Sequence, residues 1–378
     1  MALEADPIFL PFFEYCLPFW RLKKYTKEVY TLKRCQRYNK HISSSNWKNF
    51  EYLFQSIWIH TGGNGMSDVS IIICTRNRIE DLTRCIQSIA GQQQLEHTAV
   101  ELLIVDDGDI SDQQVELYRD MVSGLPQGVL KYHKKSRPGV WLSRYEALSL
   151  VRYDIVLYFD DDAELDDKLY IRRLLDTYDQ DETIVGVGGI AKGLHSSRAG
   201  KLLGILTFQM SPSLGKLSPS SLAGSLLRWG EATEVFDTEF FHGCNMSFRR
   251  DALRDMKPYP WMTSYAVADD LYMCQLASRY GKLVINPDLT IIHHESPSSR
   301  DKAGKVAKAT AINHYYFLAL KKAGAIHYGA LLWTLSYLMF KEILRRNFNA
   351  AEGYKQGVLF ILNPRKQKYN EYLGPAVQ

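Results

Sequence analysis

Three carboxylates stand in a row at Asp160, Asp161 and Asp162, directly after the apolar run Tyr153 to Phe159. That run is short and rich in β-branched and aromatic residues, which reads as a buried strand. Along an extended chain successive side chains alternate, so Asp160 and Asp162 face one side and Asp161 the other. Two carboxylates on one side repel each other, and a divalent cation cancels that repulsion. Hard oxygen ligands suit Mg2+ or Mn2+, which keep positions open for substrate phosphates. The alternative is a solvated acidic turn, or aspartates capping a helix over residues 166–178.

Other groups in the chain could do chemistry beside that triplet. Asp106-Asp107-Gly108-Asp109 closes a second apolar run, and Asp269-Asp270 opens a later helical stretch. A helix-opening aspartate can be a cap, and the same position favours the ionised carboxylate that a general base requires. His293 and His294 follow the strand-like Leu289 to Ile292 and must face opposite ways, so only one readily meets a metal.

These groups need elements to place them. Val69 to Cys74 is an apolar strand, followed by the polar turn Thr75-Arg76-Asn77-Arg78. Leu82, Cys85, Ile86 and Ile89 then recur at helical spacing. Val100 to Val105 is a second strand, 113–121 a helix and Val129 to His133 a third strand. A loop at 136–140 leads into a helix over 141–151, and the fourth strand delivers the triplet. Regular alternation of strand and helix predicts an α/β fold with a mostly parallel sheet flanked by helices. In such sheets ligands bind beyond the carboxyl ends of the strands. Thr75, Asp107 and Asp162 all lie there.

Composition bounds the reading. A chain of 378 residues with 46% hydrophobic and 23% charged residues can bury a substantial core. A net charge of +4 does not point to nucleic acid. The six cysteines, Cys16, Cys35, Cys74, Cys85, Cys244 and Cys274, show no CxxC spacing, which argues against zinc and for a reducing compartment. No signal peptide and no membrane-spanning run are expected. The first strand lacks GxGxxG, and no GxxxxGK[ST] occurs, which disfavours a dinucleotide fold and a P-loop NTPase.

Taken together, Val69 to Arg78, Val105-Asp106-Asp107-Gly108 and Asp160-Asp161-Asp162 resemble the inverting family 2 glycosyltransferases of the GT-A fold. The likeness runs over roughly residues 67–320. It implies that Asp107 reads the base, that Thr75 and Arg76 touch the nucleoside, and that Arg144 reaches the nucleotide. Arg76 stands where that family usually has tyrosine. Lys134, Lys135 and Arg137 are candidates to offset pyrophosphate charge, or are solvated. Asp162 is implied as a metal ligand with Asp160 completing the pair, and Asp161 as a contact to ribose or to a metal-bound water. Gly188-Gly189 would let backbone pass close to a ligand. Gly243 and Asn245, in His242-Gly243-Cys244-Asn245-Met246-Ser247-Phe248-Arg249, would line the donor-sugar pocket. Trp261 and Tyr265 could stack on a sugar ring or belong to the core. Asp270 is implied as the base, with Asp269 its helper, and His293 as a further metal ligand. Arg300 and Lys302 could meet the diphosphate.

Three segments are expected: an aromatic and basic extension over 1–66, a catalytic domain over 67–305 and a helical region over 306–378. In the first, Phe9, Phe12, Phe13, Phe19 and Trp20 precede a run of lysines, a pattern of membrane interfaces or of an extension packed on the main domain. Residues 192–235 read as a variable excursion over the site. Tyr328 to Phe340 is apolar and too short to span a bilayer, but could lie in its surface. The expected protein is a cytoplasmic enzyme, peripheral at the inner membrane face, that uses Mn2+ or Mg2+. It would pass a sugar from a UDP- or dTDP-sugar to a glycan or lipid-linked acceptor. The competing readings are a nucleotidyltransferase and a catalytically silent glycan-binding protein on the same scaffold.

Overall fold

In the computed structural model, residues 68–262, 266–294 and 303–363 are described. The 1–66 extension, Tyr265, Arg300 and Lys302 therefore lie outside the described residues.

The first half alternates strand and helix: β1 (Val69–Thr75), α1 (Ile79–Ala90), β2 (Val100–Asp106), α2 (Asp112–Ser123), β3 (Val129–Lys134), α3 (Val140–Leu150) and β4 (Ile155–Asp160). After β4 come β5 (Ala163–Leu165), α4 (Tyr170–Gln180), β6 (Ile184–Ala191) and α5 (Arg198–Leu206). Then follow β7 (Phe236–Asp237), β8 (Asn245–Arg249), α6 (Asp269–Ala277), β9 (Lys282–His293) and the helices α7 (Ala303–Leu320), α8 (Ala325–Leu344) and α9 (Phe348–Leu362).

One nine-stranded sheet runs β3-β2-β1-β4-β8-β6-β9-β5, with β7 pairing to β9. β3, β2, β1 and β4 are mutually parallel. β8 then runs antiparallel between β4 and β6, and β6 and β9 pair in parallel again, so the expected parallel pairing is interrupted by β8. β1 and β2 are buried almost throughout, which is why they read as continuous apolar runs. α1, α2 and α4 cover one face of the sheet through Leu82, Ile86, Tyr118, Leu174 and Tyr178. α3, α6 and α7 cover the other through Trp141, Leu271, Tyr272 and Phe317.

The helix expected at 166–178 begins later, at Tyr170, because residues 163–165 form β5 and pair with β9. The expected excursion is ordered: Thr334 donates a hydrogen bond to the Thr207 carbonyl at 2.8 Å and so ties α8 to the end of α5. The C-terminal helices continue the core. Tyr272 of α6 donates to the Asn313 carbonyl of α7 at 3.2 Å, and Asn313 donates to the Val267 carbonyl at 2.8 Å. Cys74, Cys85, Cys244 and Cys274 are free thiols.

Candidate active site

The parallel register sets Cys74 beside Asp160, so the ends of β1 and β4 open on the same crevice. Asp161 and Asp162 turn the chain into β5, whose Ala163 pairs with His293 at the end of β9. That short antiparallel pairing brings a residue from the far end of the chain to the triplet. His293 Nε2 lies 3.2 Å from Asp162 Oδ1, whereas His294 turns away and its Nε2 lies 2.6 Å from Glu164 Oε1. Ligand atoms of Asp160, Asp162 and His293 lie within 4.8 Å of one another. Two carboxylates and one imidazole fit a Mn2+- or Mg2+-sized cation with further positions left for phosphate oxygens. A second group, His242, Cys244 and His293, has the same spacing. Burial pushes the Cys244 thiol well up, and a protonated thiol is a poor ligand, so the oxygen-rich group is the better fit.

Asp161 faces the other way, as alternation predicts. It accepts a hydrogen bond from Thr75 Oγ1 at 2.7 Å and an ion pair from Arg78 Nη1 at 2.8 Å. Burial pushes its carboxyl up to about 6 against the opposing pull of Arg78 and Thr75. Asp161, expected at the ribose or a metal-bound water, and the Thr75 hydroxyl, expected at the nucleoside, bond each other here. Arg78 also reaches Asp162 Oδ2 at 3.3 Å. The sequence reading passed over Arg78, and only the β1–β4 register shows what it faces.

Arg144 is buried and links the two acidic groups. Its Nη1 donates to Asp269 Oδ2 at 2.7 Å, and its Nη2 donates to Asp160 Oδ1 and to the Gly243 carbonyl, each at 3.0 Å. Both terminal nitrogens expected to read a nucleotide thus hold protein partners. Asp269 Oδ1 accepts from the Asp270 backbone N–H at 2.9 Å. Asp270 is half-buried beside Gly243, where a Cβ on the glycine would sit 3.6 Å from Asp270 Oδ2 and 3.6 Å from Arg144 Nη1. Burial and the charge of Asp269 push the Asp270 carboxyl up to about 7. Burial likewise raises Asp269 and Asp160, with Arg144 opposing in both. Ala268, just before the pair, has φ 69°, a left-handed conformation that costs a non-glycine residue about 1 kcal/mol or more. It turns the chain so that Asp269 and Asp270 form the first turn of α6.

At the nucleotide end, Asp107 Oδ2 accepts from the Gly139 N–H at 2.8 Å, which ties the 136–140 loop to β2. Gly139 has φ 132°, a conformation that glycine supplies at no steric cost. A Cβ on Gly108 would fall 2.1 Å from Asn77 Oδ1, so the β1 and β2 loops pack backbone to side chain there. Arg76 is exposed at the mouth. Lys134 pairs with Asp109 at 2.9 Å and Asp106 at 3.4 Å, and Lys135 donates to Ser143 Oγ at 2.8 Å and the Gly139 carbonyl at 2.9 Å. Of the three expected cations, Arg137 is exposed and has no bonded partner among the described residues.

Packing also bears on Asn245, Gly188, Gly189 and Trp261. Asn245 is 1% exposed; its Oδ1 accepts from the Tyr170 hydroxyl, and its buried Nδ2 has no hydrogen-bond partner among the described residues. Its place in β8 opposite β4 turns it inward. Gly188 and Gly189 make room for protein: a Cβ on them would meet Phe241 and the Leu289 carbonyl. Trp261 stacks on Tyr259 and Tyr316 with ring centroids 5.3 Å apart in each pair, which makes it a core aromatic.

Comparison with known proteins agrees with the geometry. Residues 70–256 match the profile of glycosyl transferase family 2. A glucosyl-dolichyl phosphate glucuronosyltransferase of Haloferax volcanii is 30% identical over 123 residues, which is 32% of this chain and 37% of the relative, so the match spans little over a third of that protein. A mannosyltransferase from Pyrobaculum calidifontis, solved with GDP-Man and Mn2+, is 16% identical with a TM-score of 0.49, over 84% of this chain and 95% of its own. S. aureus TarS 1-349 is 16% identical with a TM-score of 0.44, over 77% of this chain and 81% of its own. Residues 70–256, which carry the acidic triplet at the end of β4, thus form a glycosyl transferase family 2 domain.

Proposed function

We propose that the protein transfers a sugar, with inversion, from a UDP- or dTDP-sugar to a hydroxyl of a glycan or lipid-linked acceptor, and that it depends on Mn2+ or Mg2+. One observation carries this reading: Arg144 bridges Asp160 of the candidate metal group and Asp269 beside the candidate base. Leaving-group and acceptor chemistry are thereby held on opposite sides of a single side chain.

Asp160, Asp162 and His293 would hold the cation, which when bound offsets the charge on the departing diphosphate. Asp107, Arg76 and Arg137 lie at the mouth that a nucleoside diphosphate would enter. Asp270 takes the acceptor's proton while the acceptor oxygen bonds the anomeric carbon from one face. The bond to the diphosphate oxygen breaks on the other face, and its electron pair leaves with the diphosphate. A carboxyl raised towards neutrality is matched to that proton transfer, since a stronger acid would be a feeble base. Asp269 orients Asp270 through its backbone N–H. The Haloferax relative's name is that of an enzyme acting on a lipid-linked sugar, which favours the lipid-linked class of acceptor.

The test is thermal stabilisation by a panel of sugar nucleotides with Mn2+ and with EDTA, followed by transfer assays. A donor that stabilises only with metal and is then turned over supports the reading. Metal-independent binding without turnover supports the silent scaffold, and release of free pyrophosphate the nucleotidyltransferase.

A further inference from the structure

A groove of about 580 Å3 leads away from Asp270. Asp270 lines it, together with Thr310 and His314 on α7 and Tyr337 and Lys341 on α8. Leu203, Met210 and Leu226 line much of its length. His314 is 5% exposed, and its Nδ1 lies 2.8 Å from the Thr310 carbonyl. A carbonyl only accepts, so Nδ1 carries the proton and Nε2 is an acceptor. Burial pushes this imidazole down to about 4, so it is neutral at physiological pH. It is a nine-tenths-buried ring with an acceptor nitrogen and no second bonded partner among the described residues.

The outer end of the groove differs. Leu202 and Leu206 of α5 are each 61% exposed, and Trp333 and Phe340 of α8 are 57% and 56% exposed. Trp333 donates its indole N–H to the Leu206 carbonyl at 3.2 Å, so the two helices present one apolar face. Leu203 belongs both to the groove wall and to this exposed stripe. Lys341 stands where groove and face meet and forms no ion pair among the described residues, while Arg345 and Arg346 follow it. An apolar surface edged by cations, with aromatics along it, matches a bilayer of anionic headgroups. No helix among the described residues is long and apolar enough to cross a membrane, so this face would lie on one.

We propose that the groove between α5, α7 and α8 seats a lipid-phosphate-linked acceptor delivered from the bilayer. The acceptor's hydroxyl meets Asp270, with His314 Nε2 accepting a hydrogen bond from a neighbouring hydroxyl. Its phosphate pairs with Lys341, and its tail leaves along the Leu202, Leu206, Trp333 and Phe340 face. This deepens the proposed transferase reading and rests on it. A freely soluble acceptor would leave both the stripe and the unpaired lysine without a role.

The test uses the full chain and farnesyl phosphate as probe, with farnesol and inorganic phosphate as the two halves of its chemistry. Farnesyl phosphate should bind more tightly than either half, quenching Trp333 fluorescence. Lys341→Glu should weaken it about fivefold, the effect of one cation at an anionic surface. Leu206→Asp should abolish co-sedimentation with phosphatidylcholine–phosphatidylglycerol vesicles. Both substitutions are at the surface, and retained stabilisation by sugar nucleotide with Mn2+ marks the variants as folded. If farnesyl phosphate binds no better than inorganic phosphate, or equally well to Lys341→Glu, the acceptor seat is wrong while the donor reading stands. If no sugar nucleotide stabilises the wild type, the transferase reading itself has failed.

Discussion

The two ends of the cleft are built from opposite materials. The donor end is a lattice of charge: Arg78 spans Asp161 and Asp162, Arg144 spans Asp160 and Asp269, and Lys134 spans Asp106 and Asp109. The proposed acceptor end is a groove lined by leucine and methionine, with exposed apolar side chains beside it. Fixed ion pairs hold carboxylates close together against their mutual repulsion, which suits a cation and a diphosphate whose geometry does not vary. An apolar wall holds a ligand without directional bonds and tolerates a longer, more variable molecule. Asp270 sits at the border, next to the charged lattice and facing the groove.

The sharpest way to break this contrast is at that border. Asp270→Asn should lower kcat by a factor of about a hundred to ten thousand, the usual range for a lost general base, with donor stabilisation unchanged. Loss of donor affinity instead would move Asp270 to the donor end. Next is the lattice itself. Arg144→Met strands Asp160 and Asp269 as buried charges and should lower unfolding stability by about 3–5 kcal/mol in a denaturant titration. Mn2+ should restore part of that loss, because a cation can replace the missing charge at Asp160. If the variant is as stable as wild type, the arginine is not what holds the two acidic groups together.

A smaller effect sharpens the metal side. Asp162→Ala should weaken donor binding about tenfold or more when Mn2+ is present and leave the EDTA value unchanged. Equal weakening in EDTA would speak against ligation. The gentlest probe is pH. Asp270 is active as a base only when unprotonated, and burial with the neighbouring charge of Asp269 raises it to about 7. The kcat/KM profile should therefore rise through neutrality and fall about tenfold per unit below it. A profile flat down to pH 5 would mean that the carboxyl is not raised in the working enzyme.

Much of the donor end was legible in the chain because its signals are local. Period-two alternation separated Asp161 from Asp160 and Asp162, and apolar runs ending in aspartate marked the strand ends of β2 and β4. The same alternation predicted that only one of His293 and His294 could face the triplet. What failed had long-range causes. Asn245 reads as a ligand-facing amide, yet the antiparallel insertion of β8 turns it to Tyr170. Arg144 reads as a solvent- or nucleotide-facing cation, yet tertiary pairing places it between Asp160 and Asp269. The groove has no period of its own, since its α5 residues lie more than a hundred positions before those of α7 and α8.

By itself the sequence determined β1 to β4, the helices between them and the acidic groups at the ends of β2 and β4, because periodicity and side-chain chemistry act over a few residues. Only the tertiary structure decided which carboxylates share an arginine and which side chains of α5, α7 and α8 line one groove. Those outcomes depend on strand register and helix docking, which a short stretch of chain does not encode.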